Sequence, residues 1–119
     1  MNEENKLQYI IPDKPIEKPK GDMSLITDYD QRYINIISKI FKKELSKDDL
    51  NNLLNEGAKI GAYWHKFRLV GAIVWTWDNQ TGIEIIHMGF KKKAAGRGFE
   101  EALLEYAVFV SNGKLKMEN

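Results

Sequence analysis

Residues Leu69 to Trp77, LVGAIVWTW, form a nearly unbroken apolar run rich in β-branched and aromatic side chains. Such a run fits a strand covered on both faces, because a half-solvated strand alternates apolar with polar residues. A fold built around it needs an apolar layer on each side. The stretch before it, Lys59 to His65, alternates and places Ile60, Ala62 and Trp64 on one face. The stretch after it, Ile83 to Phe90, reads as a third strand beyond the turn residues Asp78-Asn79-Gln80-Thr81-Gly82. Links this short join antiparallel neighbours, so the three runs predict a meander.

Helical spacing appears on both sides of this block. Thr27 or Asp28 can cap a helix whose apolar stripe is Ile34, Ile37, Ile40 and Phe41, which predicts a helix over residues 28–45. Ser46-Lys47-Asp48-Asp49 reads as a capping box with Asp in place of Glu. Leu50, Leu53 and Leu54 then supply a buried face, and Gly57 a left-handed stop, for a helix over 47–56. Past the third strand, Phe99, Ala102, Leu103, Tyr106, Ala107 and Val110 share one face of a helix over 99–111. Asn112-Gly113 is its expected stop, leaving KLKMEN room for one short strand at most. Residues 1–22 hold all three prolines and are expected to be a flexible arm or edge strand, with LQYII as the strand candidate. Residues 23–119 are then a single domain, α+β, with helices on a mostly antiparallel sheet.

Composition narrows the function classes. With no cysteine the chain has no disulfide, no thiolate nucleophile and no Cys-ligated metal site, and two histidines leave little for a His-based metal centre, so no metal is expected. A net charge of +1 gives no general attraction to nucleic acid or an anionic membrane. The cations Lys91, Lys92, Lys93 and Arg97 could contact nucleic acid beside exposed aromatic residues, but Glu100, Glu101 and Glu105 follow directly and argue against it. The longest apolar run is too short to span a bilayer and the first residues lack a signal-peptide core, so the expectation is a cytoplasmic protein without a membrane partner.

The segment from Ile83 to Ala107 carries the chemistry. It runs strand, then a loop with Gly96, Gly98 and four cations, then a helix. A helix start presents amides without intrahelical acceptors and the positive end of the dipole, which suits a phosphate. Glycines let the backbone approach an anion, and Lys93 and Arg97 add attraction. A solvated turn with glycines for tightness is the alternative reading of the same residues.

Residues 57 to 107 resemble the central part of the GNAT acetyltransferase superfamily. Leu69-Val70-Gly71-Ala72-Ile73 is similar to its second hairpin strand, Glu84-Ile85-Ile86-His87-Met88-Gly89-Phe90 to its fourth strand, and Leu103-Leu104 to a pair on the following helix. The loop is similar to the family's pyrophosphate-binding loop, Arg/Gln-x-x-Gly-x-Gly/Ala, with Ala95 and Glu100 replacing its first and last residues. Lys93 opens the motif in another register, ending on Gly98. The resemblance implies a GNAT-like fold whose C-terminal part is truncated. It also implies acetyl-CoA as cofactor, held by Met88, Phe90, Lys93, Gly96, Arg97 and Gly98.

Attack of an amine on a thioester needs a base and dipoles for the oxyanion. The resemblance places Glu84 where many such enzymes hold a glutamate base, and His87, expected on the opposite strand face, could serve through a water. A surface glutamate and a hydrogen-bonded core histidine are the structural alternatives. Two functions therefore stay open. One is acetyl transfer to a primary amine on a small molecule or a protein; the other is a non-catalytic GNAT-like module for protein binding or dimerisation. A homodimer that completes the sheet fits either.

Overall fold

The computed structural model describes residues 9–10, 21–27, 30–42, 44–78, 82–94 and 96–118, with side-chain environments given for 21–111 of these. The elements in chain order are β1 (Tyr9–Ile10), β2 (Asp22–Ile26), α1 (Gln31–Ile40), α2 (Lys47–Asn55), β3 (Lys59–His65), β4 (Arg68–Asp78), β5 (Gly82–Phe90), a 3₁₀ turn (Lys92–Ala94) and α3 (Phe99–Glu118). One sheet in the order β1-β5-β4-β3-β2 holds the five described strands, and every neighbouring pair is antiparallel. The α+β meander is as the apolar runs predict. Most of the 1–22 arm, residues 1–8 and 11–20, lies outside the described residues, as do turn positions 79–81.

The sheet is covered on both faces. Ile34 and Ile37 of α1 and Leu50 of α2 pack on Ile60, Ala62, Ala72 and Val74. On the other face Leu103, Tyr106 and Ala107 of α3 pack on Ile73, Trp75, Ile83 and Ile85. β4 thus sends alternate side chains into two cores, which is why its sequence from Leu69 to Trp75 is apolar on both faces. Burying each large aliphatic side chain here stabilises the fold by roughly 1.5–3 kcal/mol.

Local chemistry sets the element ends. In the Ser46–Asp49 capping box the Asp49 amide donates to Ser46 Oγ (3.1 Å) and the Ser46 amide donates to Asp49 Oδ2 (3.0 Å). α2 ends before Gly57, whose φ is +102°. α1 is shorter than the predicted 28–45. Its start is delayed because residues up to Ile26 are held in the ladder with β3, so Asp30 becomes the N-cap. Its end comes early because Lys42 turns left-handed at φ +56°, and Leu45 packs on the α1–α2 core from outside the helix.

β2 has no counterpart in the sequence reading. Its pattern, DMSLI, sends Met23 to the α3 side and Ile26 to the α1–α2 side, with Leu25 left 41% exposed. That is a weak alternation beside a proline-rich arm. Trp64, whose indole donates to Ser24 Oγ at 2.9 Å, fastens it to β3.

α3 also departs from expectation. It runs through Asn112-Gly113 to Glu118, so Lys114–Glu118 are helical and form no strand. A glycine inside a helix costs only about 1 kcal/mol relative to Ala, less than the restart of structure that a break would require. No helix among the described residues is long and apolar enough to cross a membrane.

Candidate functional site

The C-terminal end of β5, the β3–β4 hairpin turn and the start of α3 meet at one end of the sheet. There they line an open cleft of about 720 Å³, walled by His65, Lys66, Arg68, Val70, Lys91, Lys93, Ala94, Arg97 and Phe99. Five of these residues are permanent cations. Lys93 and Arg97, predicted from the sequence, are among them; Lys92 is not. Gly96 and Gly98 hold φ of +80° and +81°, and a Cβ on either would meet nothing within 4 Å. Their glycine identity therefore serves backbone conformation, which turns the chain into α3.

Phe99 fixes this corner. Its ring stacks on Tyr63 at 4.4 Å and 21° and lies 6.2 Å from Phe90 and 5.7 Å from His65. The helix start is thereby held against the β3–β4 hairpin. Phe90 lies over Gly71, its cross-strand partner, and a Cβ at Gly71 would overlap the Phe90 ring.

The hydrogen-bond phase of β5 decides which backbone groups face outward. The Lys91 amide donates to Val70 O at 2.8 Å, so Val70 and Lys91 form a hydrogen-bonded pair. Antiparallel pairing alternates, which makes Gly71–Phe90 and Ile73–Met88 non-hydrogen-bonded pairs. The N–H and C=O of Met88 and Phe90 therefore point away from β4. Among the described residues, β1 pairs with β5 only at Glu84 and Ile83, and no strand lies beside Met88 and Phe90. The side chains of both residues pack toward the α3 layer while their backbones face this open edge.

A register shift alters the placement of the two candidate bases. Val74 pairs with His87 but Trp75 pairs with Ile85, so Ile86 is an extra residue in β5. Ile83, Ile85, Met88 and Phe90 pack with the α3 layer, whereas Ile86 packs with the α1–α2 layer. His87 meets Phe41 edge-on at 4.5 Å on that second side. Alternation with Ile83 and Ile85 puts Glu84 there too. The expectation that His87 and Glu84 occupy opposite faces is thus corrected: the bulge at Ile86 brings both to the α1–α2 face. Glu84 is half-buried, its backbone paired with Thr76 on one side and Tyr9 on the other. His87 Nε2 lies 3.5 Å from Glu44 Oε1. The cationic cleft and the two bases lie on opposite faces, with the open edge of β5 between them.

The hairpin cations Lys66 and Arg68 were missed from the sequence, as were His65, Val70 and Phe99 as cleft residues. A signal existed: an antiparallel meander always sets the first hairpin turn beside the end of the third strand, here beside Lys91. Among the described residues no group of His, Cys, Asp or Glu could hold a metal ion.

Comparison with known proteins extends the geometry. No protein-family model matches the chain, and no curated protein matches it by sequence. Solved structures do. A ribosomal-protein-alanine N-acetyltransferase from Brucella melitensis biovar Abortus 2308 superposes with a TM-score of 0.57 at 17% identity, covering 72% of this chain and 67% of that one. A possible acetyltransferase from Clostridium difficile 630 gives a TM-score of 0.51 at 20% identity, with the same coverages of 72% and 67%. The fold is that of the GNAT acetyltransferases.

Proposed function

We propose that this chain, built on the GNAT fold, binds acetyl-CoA and moves its acetyl group to a primary amine. The observation that carries the reading is the cationic cleft at the head of α3, next to the stretch of β5 that no strand covers among the described residues. Lys91, Lys93 and Arg97 suit a pyrophosphate, with the first α3 amides adding the dipole's positive end. The outward N–H and C=O of Met88 and Phe90 suit the amides of a pantetheine arm lying along the strand. When bound, acetyl-CoA would supply a thioester carbonyl to which the amine nitrogen adds, the C–S bond breaking and CoA leaving as its thiol with the nitrogen's second proton. Glu84 or His87, on the far face, takes the ammonium proton, and the acceptor approaches from the α1–α2 side.

The test is calorimetric titration of the folded chain with acetyl-CoA and with CoA, followed by an amine-acceptor screen with Glu84→Gln and His87→Gln as controls. Micromolar binding is the expected result. Its absence at millimolar ligand would sink the reading. A non-catalytic module for protein binding or dimerisation would then be left, and one observation favours it: Glu100 and Glu101 already place carboxylates in the first turn of α3.

A further inference from the structure

The cleft has two walls from elements distant in sequence. The β5–α3 loop gives Lys91, Lys93 and Arg97, and the β3–β4 hairpin gives His65, Lys66 and Arg68. The proposed pyrophosphate accounts for the first wall and leaves the second without a role.

The second wall is conformationally costly. His65 and Arg68 close a two-residue turn, and both central residues have positive φ, Lys66 at 53° and Phe67 at 66°. That pattern belongs to type I′ turns, where Asn-Gly is the favoured pair. Neither Lys nor Phe is suited to it, and a bulky residue at positive φ is an outlier. Phe67 gains nothing by burial, since it is 93% exposed. Strain held without packing in return marks a segment kept for what it presents, and this turn presents Lys66 and Arg68 to the cleft.

Charge balance says what they would meet. A pyrophosphate diester carries about two negative charges, and a phosphomonoester such as the one on the CoA ribose adds about 1.5–2 more. Five cations in one cleft exceed the need of the pyrophosphate alone. Arg68 has the planar donor fork that grips a terminal phosphate, and Lys66 supplies a mobile point charge beside it.

We propose that Lys66 and Arg68 form a subsite that reads the 3′-phosphate of CoA and so discriminates CoA from dephospho-CoA. This rests on the acetyl-CoA reading given above. The experiment is titration of the full chain with CoA and with 3′-dephospho-CoA, at low and at physiological salt. CoA should bind about tenfold more tightly or better, the return of one charge-assisted contact, and the gap should narrow as salt rises. In Lys66→Ala/Arg68→Ala the ratio of the two affinities should fall to near one. Equal micromolar binding of both ligands by the unaltered protein overturns the subsite and leaves the cofactor reading intact. If neither ligand binds at millimolar concentration, the cofactor reading fails and the subsite with it.

Discussion

The indole nitrogen of Trp75 donates to Ser111 Oγ across 3.0 Å, and water reaches neither residue, at 0% and 1% exposure. The central strand is tied in this way to α3 by a polar contact inside an otherwise apolar layer. Ser111→Ala leaves a buried donor without an acceptor, at a cost of about 1–3 kcal/mol. Urea unfolding should show the loss as a lower midpoint with unchanged slope.

A second prediction concerns the glycine under Phe90. Gly71→Ala forces a methyl group into the ring of a non-hydrogen-bonded cross-strand pair, where side chains approach most closely. The expected destabilisation is about 1–3 kcal/mol, as for other overpacked sites. Combined with Phe90→Ala, the substitution should cost much less than it does alone, and a double-mutant cycle measures the difference. Additive effects would mean that the ring moves aside without strain.

The hairpin turn gives a prediction of opposite sign. Phe67→Gly removes a bulky residue from φ +66° and sacrifices no packing. Stability should rise by about 0.5–1 kcal/mol, seen as a higher thermal midpoint.

Tyr106 links stability to alkaline pH. Its burial between α3 and the sheet raises its phenol above the ordinary value of 10.0. The neutral form is therefore favoured in the folded chain. Its contribution is complete below the unfolded value and is lost as pH climbs through 10 toward the higher folded value. Tyr106→Phe should flatten the decline of stability above pH 10 and leave the neutral range nearly unchanged.

For the cleft, Gly98→Asp places a carboxylate at the helix start and should weaken CoA binding about tenfold or more, the scale of one charge contact. Glu100→Gln should tighten it. Identical titrations for all three proteins would separate the α3 start from the ligand.

Much of this was legible along the chain because the deciding chemistry is local. Ser46 and Asp49 lie three residues apart, and the nearly unbroken run from Leu69 to Trp77 reports two covered faces directly. What escaped depends on relations between strands. A single extra residue, Ile86, moves His87 to the side of Glu84, and no periodicity in IEIIHMGF reveals it. β2 escaped because five residues with one exposed leucine take their strand identity from β3. The stop expected at Asn112-Gly113 weighed a local penalty without the growing helix that absorbs it. Lys66 and Arg68 escaped because only the pairing of the meander sets them beside Lys91.

Among the described residues no strand pairs with the outward-facing backbone of Met88 and Phe90, and an extended chain with free amides fits such an edge. A pantetheine arm and the edge of another copy would therefore compete for the same groups. Ligand occupancy would keep the protein monomeric, and concentrated protein without ligand would be prone to edge-to-edge association. If the site takes the cofactor proposed above, the solubility of this chain would depend on whether that site is filled.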